Sequence, residues 1–125
     1  MILDTVALSA FLSKDPSLIR ALSSTRVLSL PSIVLGEYRF GLLSSARRVS
    51  LEETLEQLET ASRILPVDEL TARSYAVIRH ELETAGTPVP MNDLWIAALA
   101  RQHDLPVVTQ DAHFAYVRGL KRIGW

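Results

Sequence analysis

The sequence predicts a three-layer α/β/α fold, with helices on both faces of a central, mainly parallel sheet. Short apolar runs, too short to be buried helices, alternate along the chain with longer stretches of helical periodicity. The chain has 125 residues, of which 48% are hydrophobic, and this is the size and composition of one domain with its own core. We therefore expect a single domain over residues 1–125, with right-handed crossovers between parallel strands.

The predicted strands are apolar runs without the alternation of a half-exposed sheet. Three of them are expected to be buried, at residues 1–3, 27–30 and 106–109. Residues 64–67 form a weaker fourth candidate, and residues 122–123 are a possible edge strand.

Capping residues predict where the first helices begin. Asp15 followed by Pro16 is typical of an N-cap with proline at the first helical position. A further helix begins near Pro31, and residues 50–53, Ser-Leu-Glu-Glu, have the pattern of a capping box.

Two more helices are predicted in the second half of the chain. Residues 68–85 carry apolar side chains at three-to-four spacing and end before Gly86, which indicates an amphipathic helix. After a proline-rich loop, Asn92 and Asp93 open a strongly apolar helix that ends near His103 and must be largely buried.

Composition excludes several classes of protein. The net charge of −1 gives no global attraction to nucleic acid or anionic membranes, and the absence of cysteine excludes disulfides and thiolate metal sites. No apolar run approaches the 20 or so residues of a membrane span, and Asp4 interrupts the amino-terminal one. We expect a cytoplasmic protein without a membrane segment.

Four carboxylates do not fit the pattern of a solvated surface. Asp4 and Asp111 follow two predicted strands, and ligands gather at the carboxyl ends of parallel strands. Glu37 lies on the apolar and small face of its helix, and Asp93 lies in the first turn of the buried one. If the two strands are neighbours, these acids face one crevice.

Each acid also has a structural explanation that the sequence leaves open. Asp4 could cap a helix starting at Thr5, Asn92 and Asp93 could cap theirs, and Asp111 could begin an Asx-turn. Glu37 is the hardest to explain in this way, because no lysine or arginine lies one turn away on its face. Converging carboxylates would repel one another unless a divalent ion neutralised them, and oxygen ligands favour magnesium or manganese.

These motifs resemble those of the PIN-domain ribonucleases, and more narrowly the VapC toxins of bacterial toxin–antitoxin pairs. The resemblance runs from residue 1 to residue 125 in the order of the family. It rests on Asp4-Thr5, on Leu35-Gly36-Glu37-Tyr38 with Gly41, on Asn92-Asp93-Leu94-Trp95-Ile96-Ala97-Ala98, and on Thr109-Gln110-Asp111-Ala112-His113-Phe114.

The resemblance implies a metal-dependent endoribonuclease and assigns roles to individual residues. The metal-binding and catalytic acids would be Asp4, Glu37, Asp93 and Asp111, with Mg²⁺ or Mn²⁺ as the cofactor. Thr5, Asn92, Thr109 and His113 would support these acids or contact the substrate. The implied partners are an RNA substrate, a cognate antitoxin protein and a second copy of the chain in a homodimer.

One position departs from the family, whose opening motif usually continues Asp-Thr-Asn. Here the third place is Val6, which cannot hydrogen-bond a carboxylate or a metal-bound water. Losing such a supporting partner typically costs 10-fold to 100-fold in metal affinity or activity. The alternative reading is therefore a weakened or inactive PIN-like protein that binds RNA or antitoxin.

A receiver-like signalling module is the other rival. It would need a lysine directly after a late strand. Lys14 and Lys121 are the only lysines, and neither directly follows the predicted strand at residues 106–109. For an RNA substrate, the cluster of Arg118, Lys121 and Arg122 is the best candidate to bind the phosphate backbone.

Overall fold

A computed structural model describes all residues, 1–125, and shows one five-stranded parallel sheet in the order β3-β2-β1-β4-β5. The strands are β1 (Ile2–Leu3), β2 (Ser29–Pro31), β3 (Arg63–Leu65), β4 (Val107–Val108) and β5 (Arg122–Ile123). The helices are α1 (Thr5–Leu12), α2 (Pro16–Ala21), α3 (Ser32–Leu42), α4 (Arg48–Ala61), α5 (Glu69–Thr84) and α6 (Met91–His103), with a short 3₁₀ helix at Ala112–Tyr116.

The helices cover the sheet and confirm the predicted α/β/α class. Helix α1 packs against α2, α3 and α4, while α5 packs against α6 through a stacked pair of rings, Tyr75 and Trp95, whose centroids lie 4.0 Å apart. Helix α6 buries six of its side chains, as its apolar sequence predicts. No helix is long and apolar enough to cross a membrane.

Two predicted strand ranges shift in the structure. Strand β2 begins at Ser29 rather than residue 27, and Val27 is 54% exposed because it precedes the sheet. Strand β3 begins at Arg63 and ends at Leu65, so the Pro66 and Val67 end of the predicted range lies outside it.

Two helix caps that the sequence suggests are not formed. Helix α4 begins at Arg48, and the Ser50 hydroxyl donates to the Arg47 carbonyl instead of forming a capping box. The chain's capping box lies at the start of α5, between Asp68 and Thr71. Neither Asn92 nor Asp93 caps α6, because its N-cap residue is Pro90 and no side chain accepts a cap hydrogen bond.

The sheet order decides where ligands can bind. Strands β1 and β4 are parallel neighbours at the centre of the sheet, with Ile2 opposite Val107 and Leu3 opposite Val108. Both strands therefore end at the same edge, and the residues that follow them meet there.

Candidate metal centre

A single cleft of about 260 Å³ at the carboxyl end of the sheet is lined by all four acids singled out in the sequence. Its lining comprises Asp4, Thr5, Val6, Glu37, Pro90, Asn92, Asp93, Ile96 and Asp111. Each acid reaches the cleft from a different element, so the site forms only in the folded chain.

Asp4 forms the floor of the cleft and is only 5% exposed. Its Oδ1 accepts a hydrogen bond of 2.8 Å from the Ala7 backbone amide, so it also caps α1. Burial raises the pKa of Asp4, while hydrogen bonds, the largest from the Thr109 side chain, act in the opposite direction. Asp4 therefore caps α1 with one oxygen and still lines the cleft.

Asp93 and Asp111 form the centre of the cluster together with His113. One ligand atom from each of the three lies within 4.8 Å of the others. The His113 Nδ1 is 2.9 Å from Asp111 Oδ1 and 3.4 Å from Asp93 Oδ2. Asp111 also accepts a hydrogen bond of 2.8 Å from the His113 backbone amide and so caps the 3₁₀ helix, the turn that the sequence allowed.

The two carboxyl groups titrate in opposite directions. Burial, followed by the negative charge of Asp111, raises the pKa of Asp93 to about 6. Burial also acts to raise the pKa of Asp111, but hydrogen bonds from His113 outweigh it and that pKa is lowered. When Asp93 and Asp111 together bind one proton, Asp93 holds it, as expected for two carboxyl groups confined to one site.

Glu37 lies on α3 at the side of the cleft. The Thr5 hydroxyl donates a hydrogen bond of 2.7 Å to its Oε2. Its Oε1 is buried and has no hydrogen-bond partner. Such an atom lacks compensation for lost hydration, and a cation or its bound water would supply it.

The supporting residues connect the acids to one another. Thr109 is buried, its side chain acts to lower the pKa of Asp4, and its Oγ1 accepts a hydrogen bond of 2.9 Å from the Asp111 backbone amide. Asn92 is exposed at the mouth of the cleft. The side chain of His113 is 46% exposed, but its Nδ1 lies beside the carboxylates of Asp93 and Asp111.

Sequence reasoning missed two lining residues, Pro90 and Ile96. Ile96 follows Asp93 by three positions, so it lies on the same face of α6, and this spacing could have identified it. Pro90 carries no chemical signal of its own.

The basic cluster proposed from the sequence lies elsewhere, which corrects that prediction. Arg118 and Lys121 line a different cleft with Arg101 and Pro106, beside the start of β4. The Lys121 carbonyl accepts a hydrogen bond from Val107, the first residue of β4. Because the acids lie beyond the other end of this strand, this cluster does not border the acidic cleft.

The donor set fits a hard divalent cation. It offers carboxylate oxygens and one imidazole, with no lysine or arginine among the residues that line the cleft. The raised pKa values of Asp4 and Asp93 and the unpartnered Oε1 of Glu37 each mark negative charge without compensation. Mg²⁺ and Mn²⁺ favour such oxygen-rich sites.

Comparison with known proteins places this chain in a known family. The PIN domain family matches residues 1–120. Ribonuclease VapC5 of Mycobacterium tuberculosis is 41% identical over 93 residues, which cover 70% of this chain and 66% of that protein. The chain thus matches slightly less than two thirds of the length of this relative.

Solved structures match over nearly the whole chain. FitAcB of Neisseria gonorrhoeae superposes with a TM-score of 0.85 at 32% identity, covering 98% of this chain and 95% of that one. A member of the VapBC family of toxin-antitoxin systems, VapBC-5 of Mycobacterium tuberculosis, superposes with a TM-score of 0.77 at 36% identity, covering 99% and 97%.

Proposed function

The chain belongs to the PIN-domain family, and on this premise we propose that it is a divalent-metal-dependent endoribonuclease and the toxin of a type II toxin–antitoxin pair. The observation that carries the proposal is the convergence of Asp93, Asp111 and His113, whose ligand atoms lie within 4.8 Å of one another. They meet at a cleft that Asp4 and Glu37 also line and that no lysine or arginine lines. The relatives support the substrate class, since one is named a ribonuclease and others form toxin–antitoxin complexes.

The proposed reaction is hydrolysis of an RNA phosphodiester bond by water. One or two Mg²⁺ or Mn²⁺ ions would supply an activated water and neutralise charge on the phosphate. Asp4, Asp93 and Asp111 would hold the metal directly or through water. Glu37 would contribute a ligand through water or accept a proton from the attacking water.

Other residues of the cleft would orient these acids. Thr109 accepts a hydrogen bond from the Asp111 backbone and would support Asp4, and the Thr5 hydroxyl holds Oε2 of Glu37. His113 pairs with Asp93 and Asp111 and would give up this contact, or become a ligand, when a metal ion binds. Asn92 would contact substrate at the mouth of the cleft.

The partners of the protein are part of the same proposal. A cognate antitoxin and a homodimer both require apolar surface, and three large apolar side chains project where α3 meets α4. Phe40 is 77% exposed, Leu43 58% and Val49 72%. We propose that residues 1–125 act as one domain and that the protein works in the cytoplasm, where an RNA substrate would be available.

The experiment is cleavage of a structured RNA by the purified protein with Mg²⁺, Mn²⁺ or EDTA. We expect cleavage with either metal and none in EDTA. Asp93→Asn should abolish cleavage, whereas the matched variant Asp104→Asn should not, because Asp104 caps the other end of α6 and asparagine tolerates its left-handed backbone, φ 52°. Cleavage that persists in EDTA or in Asp93→Asn would overturn the metal mechanism.

A further inference from the structure

A second groove continues from the acidic cleft across α1 and α3. The two share Thr5 and Glu37, so a bound chain can pass from one to the other without leaving the surface. Away from the cleft, the groove is lined by Ser9, Tyr38 and Ser45, which carry hydroxyl groups, and by Gly41, Leu42 and Leu51. Hydroxyl groups both donate and accept hydrogen bonds, which suits the phosphate and ribose oxygens of a nucleic acid strand.

Arg47 lies at the far end of this groove. Its backbone amide donates a hydrogen bond of 3.1 Å to Ser45 Oγ, and its carbonyl accepts from Leu51, so it joins two residues that line the groove. Burial raises the pKa of the Tyr38 phenol and the charge of Arg47 acts against it, which is consistent with a guanidinium close to that ring.

The charge of Arg47 is free for a ligand, in contrast to those of its neighbours. Arg39 pairs with Glu59 at 2.7 Å and Arg48 pairs with Glu52 at 2.9 Å. Arg47 is exposed and makes no ion pair. A strand entering an acid-lined cleft needs positive charge along its path, because phosphate and carboxylate repel each other.

We propose that this groove binds the RNA strand on one side of the scissile phosphate, with Arg47 contacting a backbone phosphate and Tyr38 contacting the adjoining ribose or phosphate. The inference rests on the proposed function, whose reaction it supplies with a substrate path. The contacts are to the backbone, so the groove positions RNA without reading its sequence.

Binding of RNA without hydrolysis tests the groove directly. We would measure fluorescence anisotropy of a labelled single-stranded RNA of about 12 nucleotides in EDTA at low salt. Arg47→Gln should weaken binding about 5-fold to 10-fold and lower the salt dependence by about 0.7, the contribution of one phosphate on a single strand. Arg48→Gln is the matched control and should leave both values unchanged, because Arg48 is already paired.

A steric variant tests the path independently of charge. Gly41 lines the groove, and a Cβ at this position would meet no atom within 4 Å, so Gly41→Leu should fold while its side chain fills the groove. With Mg²⁺ or Mn²⁺, both Gly41→Leu and Arg47→Gln should raise KM for RNA. Only Arg47→Gln is expected to leave kcat nearly unchanged, because Gly41 lies one helical turn after Glu37 on α3.

The outcomes separate this inference from the proposed function. Unchanged RNA affinity and KM in both variants would refute RNA binding in this groove, even if the wild-type protein cleaves RNA. If both variants weakened a cognate antitoxin but not RNA, the groove would belong to the protein partner and the inference would also fail. Conversely, a wild-type protein that binds RNA through Arg47 but never cleaves it would refute the proposed function and leave the groove standing.

Discussion

Asp4 and Asp111 each cap a helix and also line the cleft, whereas Asp93 lines the cleft without capping a helix. Asp4 caps α1 and Asp111 caps the 3₁₀ helix, yet both still line the cleft. A carboxylate has two oxygens and about four acceptor sites, so one cap bond leaves capacity for a metal. Asp93 accepts no cap bond, and its negative charge is therefore the least compensated of the three.

Asp93 should destabilise the metal-free protein at neutral and alkaline pH. Its folded pKa of about 6 lies above the ordinary 3.8, so its favourable contribution is complete below pH 3.8 and is lost as the pH rises through 6. Asp93→Asn should therefore raise the free energy of unfolding in EDTA at pH 8 by about 1 to 2 kcal/mol.

Urea titrations at pH 8 and at pH 4.5 measure this effect. The gain should shrink toward zero at the lower pH, where the wild-type carboxyl is protonated. Asp104→Asn serves as the control and should show no such trend. A gain of equal size at both pH values would show that repulsion in the cleft is not the cause.

Val6 should limit metal affinity, because it lines the cleft where an asparagine would offer a hydrogen bond. We expect Val6→Asn to tighten Mn²⁺ binding, measured by calorimetry, by up to about 10-fold. Stability should change little, since Val6 is 55% exposed. Equal affinities in the two proteins would mean that the valine has no effect, and the rival interpretation of an inactive protein would lose its sequence argument.

At the level of elements, the sequence predicts the order of strands and helices better than their ends. The apolar runs locate β1, β2 and β4 because these strands are buried and their side chains must be apolar. The edge strands β3 and β5 are largely exposed, and strands of two or three residues leave ends such as Val27 undefined. Residues 50–53 fit the capping-box pattern, but α4 already begins at Arg48, so tertiary context overrides the local signal. Local patterns likewise could not show that His113 contacts Asp93, since 20 positions separate them.

The start of α5 depends on a buried threonine. Thr71 is fully buried, its hydroxyl bonds Asp68 and Gln102, and it accepts from the Asp68 backbone amide. Thr71→Val should lower the free energy of unfolding by about 1 to 3 kcal/mol, because it leaves buried polar groups unpaired. Cleavage at a temperature well below unfolding should be unaffected, since Thr71 does not line the cleft.

Thr60→Val is the matched control for this prediction. Thr60 is an exposed helical threonine that bonds only the carbonyl of Glu56, and its loss should cost much less. Equal losses of stability in urea titrations of the two variants would refute the role assigned to the network around Thr71.

On the scale of the whole molecule, the charge is nearly balanced but unevenly distributed. The net charge is −1, while several arginines pair with glutamates on the helices and the acids of the cleft have only His113 nearby. The sheet order accounts for this concentration, because β1 and β4 end side by side and direct Asp4 and Asp111 to one point. The fold thus brings mutually repelling carboxylates together at one end of the sheet. A cation that binds in the cleft should relieve this repulsion and stabilise the folded chain.

Metal binding should therefore appear as a shift in global stability. At a metal concentration of 100 times Kd, binding to the native state alone adds about 2.7 kcal/mol to the free energy of unfolding. We expect Mn²⁺ or Mg²⁺ to raise Tm by several degrees in thermal scans, and NaCl of the same ionic strength to have a much smaller effect. The double variant Asp93→Asn with Asp111→Asn should lose the metal-dependent shift, whereas Asp104→Asn should keep it. If the double variant kept the full shift, the stabilising ion would lie outside this cleft, and the four acids would not be the metal site.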